Sequence, residues 1–109
     1  MGYDQGLAQR VREGLIDEMG LSEREMFGGI AFMLDGNMAV GVIAEDLLVR
    51  VGPANYRPAL SRPEARPFDM TGRPMRGWVL VSAKALESDE ALDCWLEQGR
   101  GFARSLPAK

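Results

Sequence analysis

The sequence predicts a two-layer α+β fold, with helices on a largely antiparallel five-stranded sheet in the order α-β-β-β-α-β-β-α. Three observations carry that reading. Apolar residues recur at helical spacing near both ends of the chain. Between those ends the pattern changes to short apolar or alternating runs rich in β-branched residues. An Asp-Gly pair joins two of these runs, the strongest short-range hairpin signal, because a type I′ turn needs positive φ at both central residues. The 109 residues amount to a single domain, 1–109, with no internal repeat and no low-complexity tract. At this length folding buries roughly two-thirds of the chain's surface, enough for a core without disulfide staples.

Residues 4–19 read as the first helix. Leu7, Ala8, Val11, Leu15 and Met19 share one side, with Ile16 at its margin, and Gly20 is a natural stop. Gly14 inside it costs about 1 kcal/mol against Ala. Three strands follow, roughly 26–34, 38–44 and 47–51, as a meander turning at Asp35-Gly36 and at Glu45-Asp46. In the third, Leu47, Val49 and Val51 share one face and Leu48 and Arg50 the other, which is expected to be partly wet. Four prolines between Pro53 and Pro67 make the next segment an irregular helical connection to about Ser61. Pro58 is expected to kink or end that helix. "PFDM" and "RGWVLVS" read as two more strands, joined through Thr71, Gly72, Arg73 and Pro74.

Residues 89–104 form the last helix. Ser88 is its N-cap, and Asp89, Glu90 and Asp93 suit the positive end of its dipole. Ala91, Leu92, Trp95, Leu96, Phe102, Ala103 and Leu106 make one stripe. Gly99 lies inside that stripe, where a missing side chain lets the helix approach its support closely. Each large apolar residue contributes about 1.5–3 kcal/mol on burial and the cap about 1 kcal/mol, so packing holds this helix more than capping does.

Composition narrows the function. The longest apolar stretch, Met26 to Leu34, is far short of the roughly 20 residues that a membrane helix needs. The first ten residues lack the pattern of a secretory signal, and Leu7 stands where a myristoylation signal has Ser or Thr. One cysteine, Cys94, excludes an internal disulfide and fits a reducing cytoplasm. No histidine is present, which removes the commonest general base and metal ligand; with a single cysteine, a structural zinc site is excluded. A net charge of −3 argues against a dedicated nucleic-acid binder.

"MFGGIAFMLDGNMAVG" raises the question of a phosphate loop. A dinucleotide loop needs a third glycine and a following helix, and a P-loop needs Lys-Ser or Lys-Thr after its last glycine. Neither is present, so Gly28 and Gly29 read as a close backbone approach by a helix or a bulge. The five serines have no histidine partner, and Lys84 beside Ser82 is no sign of geometry. Paired carboxylates (Asp17/Glu18, Glu45/Asp46, Asp89/Glu90) lie where solvated charge is the default. Cys94, at the edge of the last helix's stripe, has no basic neighbour to activate it and reads as a spectator. Seven methionines suit either an adaptable surface or core filling. Met19, Met26, Met33 and Met38 lie in apolar runs and favour the core, while Met70 and Met75 flank an exposed loop. No catalytic residue, cofactor or metal is expected.

Charge is unevenly spread. Residues 47–84 carry seven basic and two acidic residues, among them Arg50, Arg57, Arg62, Arg66, Arg73 and Arg76. They read either as a patch for phosphate or an acidic partner, or as an arginine-rich composition scattered over solvated loops; the second is favoured. Only Tyr56, Phe68 and Trp78 interleave as aromatics, so no single-strand stacking platform is indicated. One contiguous arginine face would favour nucleic acid, and dispersal a protein partner.

Residues 24–51, "REMFGGIAFMLDGNMAVGVIAEDLLVRV", resemble the start of the TfoX/Sxy N-terminal domain family. The resemblance rests on Met26-Phe27-Gly28-Gly29, Asp35-Gly36, Met38 and the run Leu47 to Val51. Pro67-Phe68, Gly77-Trp78-Val79 and the Trp95 helix follow in the family's order, so the likeness spans about residues 7 to 106. It implies a two-layer α+β domain related to regulators of natural competence, which resemble activators working with a cyclic-AMP-responsive transcription factor. Full-length regulators carry a second, C-terminal domain; with its end at Lys109 this chain is expected to be a stand-alone member. The family brings no catalytic residues. The resulting expectation is a non-catalytic, cytoplasmic regulatory domain whose partner is another protein, such as a transcription factor. Nucleic-acid binding through Arg50 to Arg76 is the alternative, no membrane is involved, and a homodimer is compatible with the chain.

Overall fold

A computed structural model describes residues 2–26, 28–69 and 72–109. Phe27 of the Gly-Gly motif, with Met70 and Thr71, lies outside them. The elements are α1 (Gln5–Gly14), β1 (Leu21–Met26), β2 (Gly29–Leu34), β3 (Asn37–Ile43), β4 (Asp46–Arg50), α2 (Tyr56–Leu60), β5 (Ala65–Asp69), β6 (Pro74–Ser82) and α3 (Asp89–Ser105). A short 3-10 turn, Ala83–Leu86, precedes α3. The strands form one open antiparallel sheet in the order β1-β2-β3-β4-β6-β5.

The sheet has six strands, not the five read from sequence. The run 26–34 is two elements: β1 ends at Met26, β2 begins at Gly29, and Gly28 between them has φ 73°. β1 is a polar edge strand, "LSEREM", whose middle four residues are exposed. An edge strand without a buried face shows no apolar alternation, so its pairing was invisible in sequence. The Asp35-Gly36 turn is as read: Leu34 pairs with Asn37, and φ is 51° and 85° at the two turn residues.

α1 starts as expected, with the Asp4 carboxylate accepting from the Leu7 amide at 3.1 Å. It stops at Gly14 rather than Met19. Beyond it the chain is bound to α3, because Arg104 donates to the Met19 carbonyl at 2.6 Å and to Glu18 Oε1 at 3.2 Å. Ile16 (66% exposed) and Met19 (80%) therefore leave the apolar stripe, so Met19 does not fill the core. Met26, Met33 and Met38 are half-buried, and Met75 is exposed as expected. Pro58 neither kinks nor ends α2. In a five-residue helix it occupies the first turn, where its missing amide would have had no intrahelical partner.

The core lies on one face of the sheet. Ile30, Phe32, Val42, Leu47, Val49, Val79 and Val81 meet Leu7, Val11, Leu92, Trp95 and Leu96 from the helices. No helix among the described residues covers the other face. There Gly41, Leu48 and Leu80 stand in one cross-strand row. Leu48 is fully buried even so, and Arg50 half-buried. The end of the Met38 side chain lies over Gly41.

Candidate interaction surface

The six arginines grouped by sequence are separated by the fold. Register places Arg66 on the face of Leu48 and Leu80, since Arg66 pairs with Leu80 and Leu80 with Leu48, whereas Arg50, at the end of β4, reaches Phe102 of α3. Arg62, just past α2, is on the helical side, with its guanidinium carbon 4.7 Å from the centroid of the buried Trp95 ring. Arg62 also bridges Glu64 at 3.0 Å, and Arg66 bridges Asp46. Arg57, Arg73 and Arg76 are exposed, and none of them has a bridging carboxylate among the described residues. The six do not share one face.

Arg50 has a different environment. Its guanidinium carbon lies 5.1 Å from the centroid of Trp78, its cross-strand partner, and 5.2 Å from that of Phe102 on α3. Gly52 and Gly77 support this arrangement. The Gly77 carbonyl accepts from both the Val51 and Gly52 amides, at 2.8 and 3.0 Å, and both glycines have positive φ. A Cβ at Gly52 would overlap the Phe102 ring. Arg50, Arg76, Trp78, Phe102 and the two glycines line a cleft of about 160 Å³.

Gly28 and Gly29 lie at the β1–β2 connection, and the hollow beside them reaches Gln5, the first residue of α1. A Cβ on Gly29 would overlap the Val42 carbonyl oxygen, so the close approach is by the neighbouring strand β3, not by a helix. The hollow beside them, about 360 Å³, is also lined by Tyr3, Gln5 and Glu25. With an acidic residue and, among the described residues, no basic one on its wall, it is a poor cradle for phosphate.

Several carboxylates expected to be merely solvated are engaged. Glu18 meets Arg100 at 3.7 Å and Arg104 at 3.2 Å, and Asp46 meets Arg66. The turn residue Asp35 meets Arg104 at 2.9 Å. Arg12 of α1 grips Glu23 of β1 through two nitrogens, at 2.5 and 2.8 Å. Those hydrogen bonds hold the Glu23 carboxyl below its usual range, against the opposing effect of partial burial, and raise Arg12 further. Among the described residues no three metal-binding side chains gather. Cys94, at the edge of the α3 stripe, is exposed. Among the described residues no helix is long and apolar enough to cross a membrane.

Trp95, named from the family motif, is a fully buried core residue. Trp78 is half-buried beside Arg50. Sequence reading missed Phe102 as a partner of this cluster, and also Gly52. The arginine and the ring are 52 positions apart in "VR" and "GF", and only the contact of α3 with β4 joins them.

A family model described as the TfoX N-terminal domain matches residues 15–103. Among curated proteins none matches the chain.

Proposed function

The chain belongs to the TfoX N-terminal domain family, and from that premise we propose that it is a non-catalytic regulatory domain acting by contact with another protein. The reading takes its regulatory part from the family, whose name suggests a competence-regulator-like domain. The choice of a protein partner rests on one observation: the candidate arginines are split between the two sides of the sheet, and two of them are held by carboxylates. A phosphate backbone is neutralised by several cations along one track, and Arg62 and Arg66, on opposite sides of the sheet and each paired with a carboxylate, do not share one. The partner is a protein such as a transcription factor, in a reducing cytoplasmic setting.

Direct, mainly non-specific nucleic-acid binding is the second reading, favoured by the exposed Arg57, Arg73 and Arg76. Affinity capture of the tagged chain from its native cells, with and without nuclease, separates the two. A partner retained after nuclease supports protein contact, and one lost completely supports nucleic acid.

A further inference from the structure

Eleven arginines are present, and six form salt bridges: Arg10, Arg12, Arg62, Arg66, Arg100 and Arg104. Of the other five, Arg24, Arg57, Arg73 and Arg76 are exposed and hydrated. Arg50 alone, among the described residues, is a half-buried guanidinium without a bridging carboxylate. Burial removes part of its water, and the ring quadrupoles compensate for only part of that loss. A planar guanidinium held by two rings has little rotamer freedom left to lose, so its donors are oriented before any ligand arrives.

We infer that the cleft formed by Arg50, Arg76, Trp78 and Phe102 receives an aspartate or glutamate side chain of a partner protein, an inference that rests on the protein-contact reading above. Charge and size both select this occupant. Among the described residues two arginines line the cleft and no acid does. Its volume of about 160 Å³ is below the roughly 300 Å³ or more of sites that enclose drug-sized ligands. A carboxylate with its short stem is small enough to be enclosed there, and a whole nucleotide is not. Arg50 forms the charge-assisted pair, Arg76 adds a second cation at the rim, and the rings pack on the stem. The chain as a whole has a net charge of −3, so a long polyanion such as duplex DNA meets repulsion beyond the basic segment that holds the cleft, while a single acidic side chain does not.

The probe is capped pentaglutamate peptide, titrated into the full chain while the Arg50 Nε–H and Trp78 Nε1–H resonances are followed by NMR. Capped pentalysine and a short DNA duplex are the comparison arms. The expected result is saturable shifts at Arg50, Trp78, Gly52 and Gly77 with pentaglutamate alone. Arg50→Gln should bind about tenfold more weakly, as loss of a charge-assisted pair implies. Arg50→Lys, which keeps the charge without the planar fork, should fall between. Circular dichroism verifies the fold of each variant, and Arg76→Gln, at an exposed position, gives a reading that does not depend on packing. Unmoved Arg50 resonances at millimolar peptide, equal affinity in the Gln variants, or tighter binding of the duplex than of the peptide would overturn the assignment. Full retention of a nuclease-resistant partner by Arg50→Gln would overturn the cleft while leaving protein contact standing. Absence of any such partner would overturn protein contact, and the peptide titration then decides the cleft alone.

Discussion

Gly99 on α3 and Ala39 on β3 meet backbone to backbone: a Cβ at Gly99 would stand 2.5 Å from the Ala39 carbonyl oxygen and 2.6 Å from Val40 Cγ1. Ala39 is the residue skipped where the β2–β3 register shifts, so Val40 pairs with Phe32 and Met38 with Met33. The helix is seated on that irregularity. In an isolated helix Gly99→Ala would gain about 1 kcal/mol. Here overpacking against a strand backbone outweighs the gain, and a net loss of about 1–3 kcal/mol is expected. Urea unfolding measures it, and a stabilised variant would show that α3 can shift away freely.

Gly29→Val is expected to cost a similar amount, about 1–3 kcal/mol, because its side chain would have to displace the Val42 carbonyl on β3. For a domain of this size each kcal/mol lowers the thermal midpoint by about 4–8 °C. Added nucleotide should not restore it. A wild-type midpoint that climbs with nucleotide would reinstate the phosphate-loop reading of the Gly-Gly pair.

The Arg12–Glu23 pair ties α1 to the edge strand, and its contribution depends on pH. The folded Glu23 carboxyl titrates below its unfolded counterpart, first because Arg12 donates two hydrogen bonds to it. Its stabilisation is therefore complete above the unfolded value of about 4.3 and fades as pH falls through the lower folded value. Both side chains are about one-third exposed, 34% and 32%, so solvent screens the pair. The expected contribution is at most about 1 kcal/mol. Glu23→Gln should be slightly less stable than wild type at neutral pH and equal to it in strong acid. A gap that persists in acid would mean that the glutamate acts through packing instead.

Cys94→Ser should leave stability and partner capture unchanged, because the thiol is exposed and no core contact depends on it. Thermal unfolding and capture yield test this. If mild alkylation of the native thiol abolished capture, the partner surface would have to include this side of α3.

Duplex DNA binding should be weak and non-specific, on the order of 10⁻⁴–10⁻⁶ M at physiological salt. The proline-rich segment offers only the five-residue α2, too short for a recognition helix. A salt titration of the wild type and of the quadruple variant Arg62, Arg66, Arg73 and Arg76 to Ala checks it, with circular dichroism because two of these arginines are ion-paired. Nanomolar, sequence-selective binding lost in that variant would replace protein contact with nucleic-acid recognition.

By itself the sequence determined the features that depend on neighbours within about one turn of chain. These are the Asp4 start of α1, the Ser88 cap and apolar stripe of α3, and the Asp35-Gly36 turn with both φ values positive. It also carried the ordered family motifs, which the match over residues 15–103 reflects. Tertiary structure decided the rest. It paired the polar segment Leu21–Met26 as an edge strand, ended α1 at Gly14 through the hold of Arg104 on Glu18 and Met19, and split the arginines between two layers. It also brought Arg50 together with Trp78 and Phe102. Periodicity records which face of an element is buried, and a polar edge strand has no such face to record. Charged partners across 50 or more positions are set by strand register and by the seat of α3 on β3 and β4, which are properties of the assembled sheet and not of any segment in it.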